Sequence, residues 1–147
     1  MYKHILIPTD GSPIADKAVQ EGLEFAREAG ARVTLFTAVP EYEVPNEAAL
    51  MARHMTSIDA HDRRSAQLAG EILASAARRA RDAGVDYDTA FVQSNRPSQA
   101  IVAAAGGHGC DAIFMASHGR TGLARLWHGS ETDDVLSQSV IPTLVYR

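Results

Sequence analysis

Two short runs hold the residues whose types and spacing could do chemistry. Ala116-Ser117-His118-Gly119 is followed, after nine further residues, by Gly129-Ser130. Glycine lets backbone N–H groups approach an anion closely. A helix N-terminus adds free donors and a partial positive charge. If Gly119 follows a strand and Ser130 opens a helix, the run makes a phosphate cradle, with Ser130 capping the helix or donating its hydroxyl. The plainer reading is a glycine turn and a serine N-cap, and the pattern alone leaves both open. The second run is Pro8-Thr9-Asp10. A carboxylate at a strand's end can hold a hydroxyl or a metal ion, and it can equally form an Asx turn into the next helix.

Other constellations fall away. Neither Lys3 nor Lys17 follows a glycine, so there is no Gly-Lys-Ser/Thr phosphate loop. No Gly-x-Ser-x-Gly elbow exists, so Ser117-His118 does not open a hydrolase triad. Gly107-His108-Gly109-Cys110-Asp111-Ala112 matches Gly-x-Gly-x-x-Ala, but it leads into a strand and reads as a chance match. His54, His61 and Asp62 are close in sequence without a recurring ligand spacing or a cysteine beside them. Cys110 is alone, which excludes an intrachain disulfide. It reads as a small filler before a strand, with a redox sensor as the alternative.

The elements that must position these runs follow from periodicity. His4-Ile5-Leu6-Ile7-Pro8-Thr9 is a short, apolar, β-branched strand that ends in the turn Asp10-Gly11-Ser12-Pro13. Ser12 caps the next helix and Pro13 takes its first position. Ala15, Ala18, Val19, Gly22, Leu23 and Ala26 share one helical face, and Gly30 stops the helix. Residues 33–39 form a second strand, and 40–60, with Pro40, Pro45 and Asn46, are expected to be irregular. An alanine-rich helix with Ala69, Ile72, Leu73, Ala76 and Ala80 on one face runs to Gly84. A strand at 88–93, a helix at 97–105, a strand at 112–116, a helix opened by Ser130 and a strand at 143–146 complete the chain.

Alternating strands and helices predict one α/β domain over 1–147, with a parallel sheet covered on both faces. Apolar strands without alternation agree with burial on both sides. Such sheets bind ligands beyond the carboxyl ends of their strands, where the strand order reverses. Both candidate runs fall there.

Composition narrows the class further. Of 147 residues, 14 are basic and 18 acidic, for a formal net charge of -4. Only Arg78, Arg79 and Arg81 cluster, near a helix end where cations suit the dipole, so a nucleic-acid surface is not indicated. No apolar run approaches the ~20 residues of a membrane span, and the start of the chain lacks a signal-peptide pattern. A lone thiol fits a reducing cytoplasm.

From Ile5-Leu6-Ile7-Pro8-Thr9-Asp10-Gly11-Ser12 to Ile141-Pro142-Thr143-Leu144-Val145 the chain resembles the universal stress protein family. The sharpest part is Met115-Ala116-Ser117-His118-Gly119 with Gly129-Ser130, similar to the family's ATP-binding signature of Gly-x-x-Gly, nine residues, Gly-Ser/Thr. The resemblance implies a Rossmann-like (adenine nucleotide alpha hydrolase-like) domain with a five-stranded parallel sheet in the order 3-2-1-4-5. It also implies ATP with Mg2+ as ligand. Pro8, Thr9 and Asp10 would face the nucleoside and ribose, and the backbone of Ala38, beside Val39, the adenine. Met115 would pack near the nucleoside. Gly119, Gly129, Ser130 and the amides of Glu131 and Thr132 would hold the phosphates, with Ala116, Ser117, His118 and Arg120 in the same loop.

Two features depart from a simple match. Ala116 stands where the signature has its first glycine, and its methyl group could crowd the ligand. Glu131, Asp133 and Asp134 suit a helix N-terminus but repel a triphosphate unless a metal ion or Arg120 and Arg125 offset them. The function implied is an ATP-binding regulatory protein of the stress response with at most slow hydrolysis, since no nucleophile–base pair stands out. One alternative is a metal-assisted nucleotide hydrolase or transferase using Asp10 and His118. Another is a nucleotide-independent dimeric interaction module. A homodimer is expected through the edge strand 143–146, alongside a protein partner that the sequence does not identify.

Overall fold

The computed structural model describes residues 1–41, 47–117 and 131–147, with 47–59 described by backbone alone. Nine elements alternate: β1 (His4–Pro8), α1 (Pro13–Ala29), β2 (Arg32–Val39), α2 (Glu47–Ala83), β3 (Tyr87–Gln93), α3 (Pro97–Gly107), β4 (Ala112–Ala116), α4 (Glu131–Gln138) and β5 (Thr143–Tyr146). The strands form one sheet in the order β3-β2-β1-β4-β5, and every pairing is parallel.

Side chains alternate across this sheet and build two cores. Ile5, Ile7, Val33, Leu35 and Phe114 pack with α1 and α2 on one face. Leu6, Phe36, Ala38, Ile113 and Met115 pack with Ile101 of α3 and Val135 of α4 on the other. The apolar strands thus serve both layers at once, as doubly covered parallel sheets require.

Helix α1 forms as its sequence dictates. Ser12 accepts from the Ala15 N–H at 3.3 Å, Pro13 opens the helix, and Gly30 closes it in the left-handed region at φ 68°. The expected face, Ala15, Ala18, Val19, Gly22, Leu23 and Ala26, is the buried one. At Gly22 the helix meets the sheet so closely that a Cβ would lie 2.8 Å from Ile7 Cδ1 and 3.0 Å from Phe114 Cδ1.

One expectation needs correction. The stretch 40–60 is helical from Glu47 onward, because α2 runs for 37 residues. Pro45 precedes that start, and Glu47-Ala48-Ala49-Leu50-Met51-Ala52-Arg53 is a run of strong helix formers. The neighbouring prolines and histidines hid it.

Candidate functional site

The strand order reverses between β1 and β4, and there the ladder is short. Only Ile5↔Ala112 and Leu6↔Ile113 pair across it, against five pairs between β1 and β2. The carboxyl halves of β1 and β4 are therefore free to part, which is how an open α/β sheet makes a crevice for a ligand.

At the end of β1, a hydrogen bond from the Thr9 N–H to the Phe36 carbonyl, 2.8 Å, holds the chain against β2. Pro8 is buried opposite Phe36. The Thr9 hydroxyl oxygen accepts from the Gly11 N–H at 3.1 Å, and Gly11 turns the chain at φ 76°. Asp10 has no exposed surface. Its Oδ1 accepts from the Ser12 N–H at 2.9 Å, which is the Asx turn. Its Oδ2 has no hydrogen-bond partner among the described residues. One carboxylate thus builds the turn with one oxygen and leaves the other oxygen for something else.

Thr37 shares that condition. It is fully buried near the end of β2, and its hydroxyl also lacks a partner. These are the two buried side-chain polar groups without a partner among the described residues. Each such group costs about 1–3 kcal/mol, more where it is charged. The Thr9–Phe36 bond sets the end of β1 beside Thr37, so both groups stand at the carboxyl ends of neighbouring strands. Sequence reasoning missed Thr37, one of two threonines in the otherwise apolar run Val33-Thr34-Leu35-Phe36-Thr37-Ala38-Val39. Ala38 and Val39 are buried beside it, and the Val39 carbonyl accepts from the Ser94 N–H at 2.8 Å.

The end of β4 is tied to α4 and to β5. Met115 is buried in the core on the α3–α4 face, packed among the cluster that includes Leu6 and Val135. Ala116 belongs to the opposite core cluster, so its methyl group is spent on packing. The Ala116 carbonyl accepts from the Thr132 hydroxyl at 2.8 Å, and the Ser117 N–H donates to the Tyr146 carbonyl at 2.7 Å. The Glu131 carboxylate accepts from the Ser98 N–H at 2.9 Å. The side chains of Glu131 and Thr132 therefore anchor α4 to α3 and β4, while their amides form the first turn of α4. His118, Gly119, Arg120, Arg125, Gly129 and Ser130 lie outside the described residues, as does the side chain of His54.

The remaining singled-out residues have structural roles. His61 Nε2 lies 3.0 Å from the Pro40 carbonyl and 3.1 Å from Ser65 Oγ, and Asp62 accepts from Gln93 at 3.1 Å. Arg79 pairs with Asp16 at 3.6 Å, and Arg81 donates to the Tyr87 hydroxyl at 2.8 Å. Cys110 is buried just ahead of β4, and burial pushes its thiol up to about 11. At the amino edge of the sheet, His4 Nε2 lies 2.7 Å from Thr34 Oγ1, which donates to Asp88 Oδ1 at 2.6 Å. Burial, then the Arg32 charge, lowers the His4 pKa.

The model of the universal stress protein family matches residues 1–147. The chain belongs to the universal stress protein family. A universal stress protein of Thermus aquaticus is 30% identical over the whole of both chains. Among solved structures, the MJ0577 protein, whose curated counterpart is a universal stress protein of Methanocaldococcus jannaschii, superposes with a TM-score of 0.74 at 26% identity, covering 99% of this chain and 95% of that one. A universal stress protein crystallised in complex with cAMP superposes with a TM-score of 0.72 at 23% identity, covering 99% and 97%. The family fold thus spans the whole chain. No described helix is long and apolar enough to cross a membrane.

Proposed function

We propose that the chain is a stress-response regulatory protein that binds an adenine nucleotide, ATP with Mg2+, at the carboxyl edge of the sheet. The observation that carries this reading is the orphaned Asp10 Oδ2, fully buried beside the β1–β4 crevice. A buried carboxylate oxygen without a partner suits a ribose hydroxyl or a bound cation, and either would remove its desolvation penalty. Membership in a family with a cAMP complex among its structures supports the ligand class.

Pro8, Thr9 and Asp10 face the nucleoside in this reading, and the backbone of Ala38 and Val39 the base. Ser117, His118, Gly119, Arg120, Gly129, Ser130 and the amides of Glu131 and Thr132 take the phosphates. Mg2+ would offset charge between the phosphates and the acidic first turn of α4, where Glu131, Asp133 and Asp134 stand. The packing of the Ala116 methyl group into the core supports an open crevice. Any hydrolysis is slow, and the setting is the cytoplasm.

The test is titration of the purified chain with MgATP. Ligand at about 100 times its dissociation constant stabilises a folded chain by about 2.7 kcal/mol. That amounts to several degrees in melting temperature for a domain of this size. No shift and no binding heat at millimolar MgATP would overturn the reading and leave the nucleotide-independent interaction module. The same reading pairs two copies through β5, the short edge strand after Pro142. Val145→Pro removes a ladder donor and breaks that contact.

A further inference from the structure

The opposite edge of the sheet is the less protected one. β3 is seven residues long and contains neither proline nor lysine, the usual guards of a strand edge. Phe91 and Val92, adjacent and so on opposite faces, are 43% and 41% exposed. A groove of about 550 Å³ opens between this strand and α3, with Phe36, Ala90, Ala100 and Ala104 among its walls. Helix α3 carries no charged residue along its 11 positions, although Ala103, Gly106 and Gly107 face solvent.

The backbone direction of this edge is fixed by its inner partner. The Val33 N–H donates to the Asp86 carbonyl, and the Ser94 N–H donates to the Val39 carbonyl. With a period of two, the even-numbered residues of β3 turn their backbone groups toward β2. Tyr87, Thr89, Phe91 and Gln93 therefore turn theirs outward, in phase to pair with a further strand.

Charge selects the strand. Asp86 stands just ahead of β3, where the neighbouring Asp88 is paired with Arg32 at 3.4 Å, and Arg96 stands past its other end, where Gln93 donates to Asp62. Asp86 and Arg96 are exposed, and Arg96 forms no ion pair among the described residues. Antiparallel pairing of β3 with its own copy brings each Asp86 toward the other copy's Arg96. Parallel pairing would set like against like.

We infer that β3 is a self-association edge, pairing antiparallel with β3 of a second copy about a two-fold axis at Phe91. In that register the outward-pointing residues bond as Phe91 with Phe91 and Thr89 with Gln93. Val92 lies over Ala90, and Asp86 faces Arg96, each pair occurring twice by symmetry. The contact is isologous and closes at two by itself. A chain that also pairs through β5 extends the sheet past a dimer.

Sedimentation velocity at high micromolar concentration tests the contact, with circular dichroism reporting the fold. Val145→Pro silences β5, so the variant should sediment as a dimer held by β3 alone. In that background Phe91→Lys should give monomer. Asp86→Arg and Arg96→Asp should each weaken the dimer, and the two together should restore it. A monomeric Val145→Pro chain, a dimer that survives Phe91→Lys, or a double exchange that fails to restore pairing overturns the inference. If Val145→Pro does not fold, the β3 variants are read in the otherwise native chain, where each must lower the mean mass and the double exchange must recover it. Nucleotide titration of the same samples fails or succeeds separately.

Discussion

The carboxylate of Glu131, the first residue of α4, accepts from the backbone N–H of Ser98, in the first turn of α3, at 2.9 Å. One side chain therefore caps a different helix from the one it belongs to. Arg96, the residue ahead of Pro97, offers α3 no side-chain cap of its own. Glu131→Ala should cost about 1 kcal/mol, the usual worth of an N-cap, read as a lower urea midpoint. Glu131→Gln keeps an acceptor and should cost less. Equal losses in the two variants would show that the carboxylate acts through something other than this bond.

The two unsatisfied groups at the carboxyl edge predict opposite effects on stability and binding. Thr37→Val replaces an unpaired buried hydroxyl with a methyl group and should leave stability unchanged or raise it by up to about 1 kcal/mol. Asp10→Ala removes the orphaned oxygen together with the Asx turn, so its melting temperature should fall little. Its affinity for MgATP should drop at least tenfold, about 1.4 kcal/mol. An Asp10→Ala chain that binds as tightly as the native one would place the ligand away from β1.

Stability should also depend on His4 as pH falls. Burial and Arg32 lower its pKa beneath the ordinary 6.5, with His108 adding in the same direction and Asp88 and Asp111 opposing. A histidine that is harder to protonate in the folded state than in the unfolded one destabilises the fold as pH drops below about 6.5. The loss grows until the folded-state pKa is passed. His4→Gln keeps a donor for Thr34 and should flatten that part of the stability profile in urea titrations. An unchanged slope would assign the pH dependence to other groups.

Cys110 should be inert while the chain is folded. A thiol titrating at about 11 instead of 9.0 holds about a hundredfold less thiolate at neutral pH, and burial blocks access besides. Ellman's reagent should label it slowly in native protein and promptly in denaturant. Prompt native labelling would revive the redox-sensor reading.

Much of this molecule is legible in its sequence. The buried face of α1 is fixed by spacing alone, because only one arrangement of Ala15, Ala18, Val19, Gly22, Leu23 and Ala26 turns all six inward. The parallel sheet follows from the alternation of elements, while its strand order came from the family resemblance. Asp10 was open between an Asx turn and a ligand-facing carboxylate, and its two oxygens divide between bonded and free. Thr37 was not legible, since threonine, like valine, is enriched in strands and only burial reveals its missing partner. The edge place of β3 came with that strand order, and Asp88, Thr89 and Gln93 within the strand agree with it.

The two ends of the sheet differ in how completely their polar groups are met. At the amino end, His4, Thr34 and Asp88 link β1, β2 and β3 in one chain of hydrogen bonds. At the carboxyl end, Asp10 and Thr37 leave groups unanswered among the described residues. Local opening is cheapest where the fewest bonds must break. Native-state amide exchange should therefore be graded along each strand, slow near Leu6 and Thr34 and faster toward Thr9 and Thr37. The end that is built to receive a ligand is then also the end that breathes.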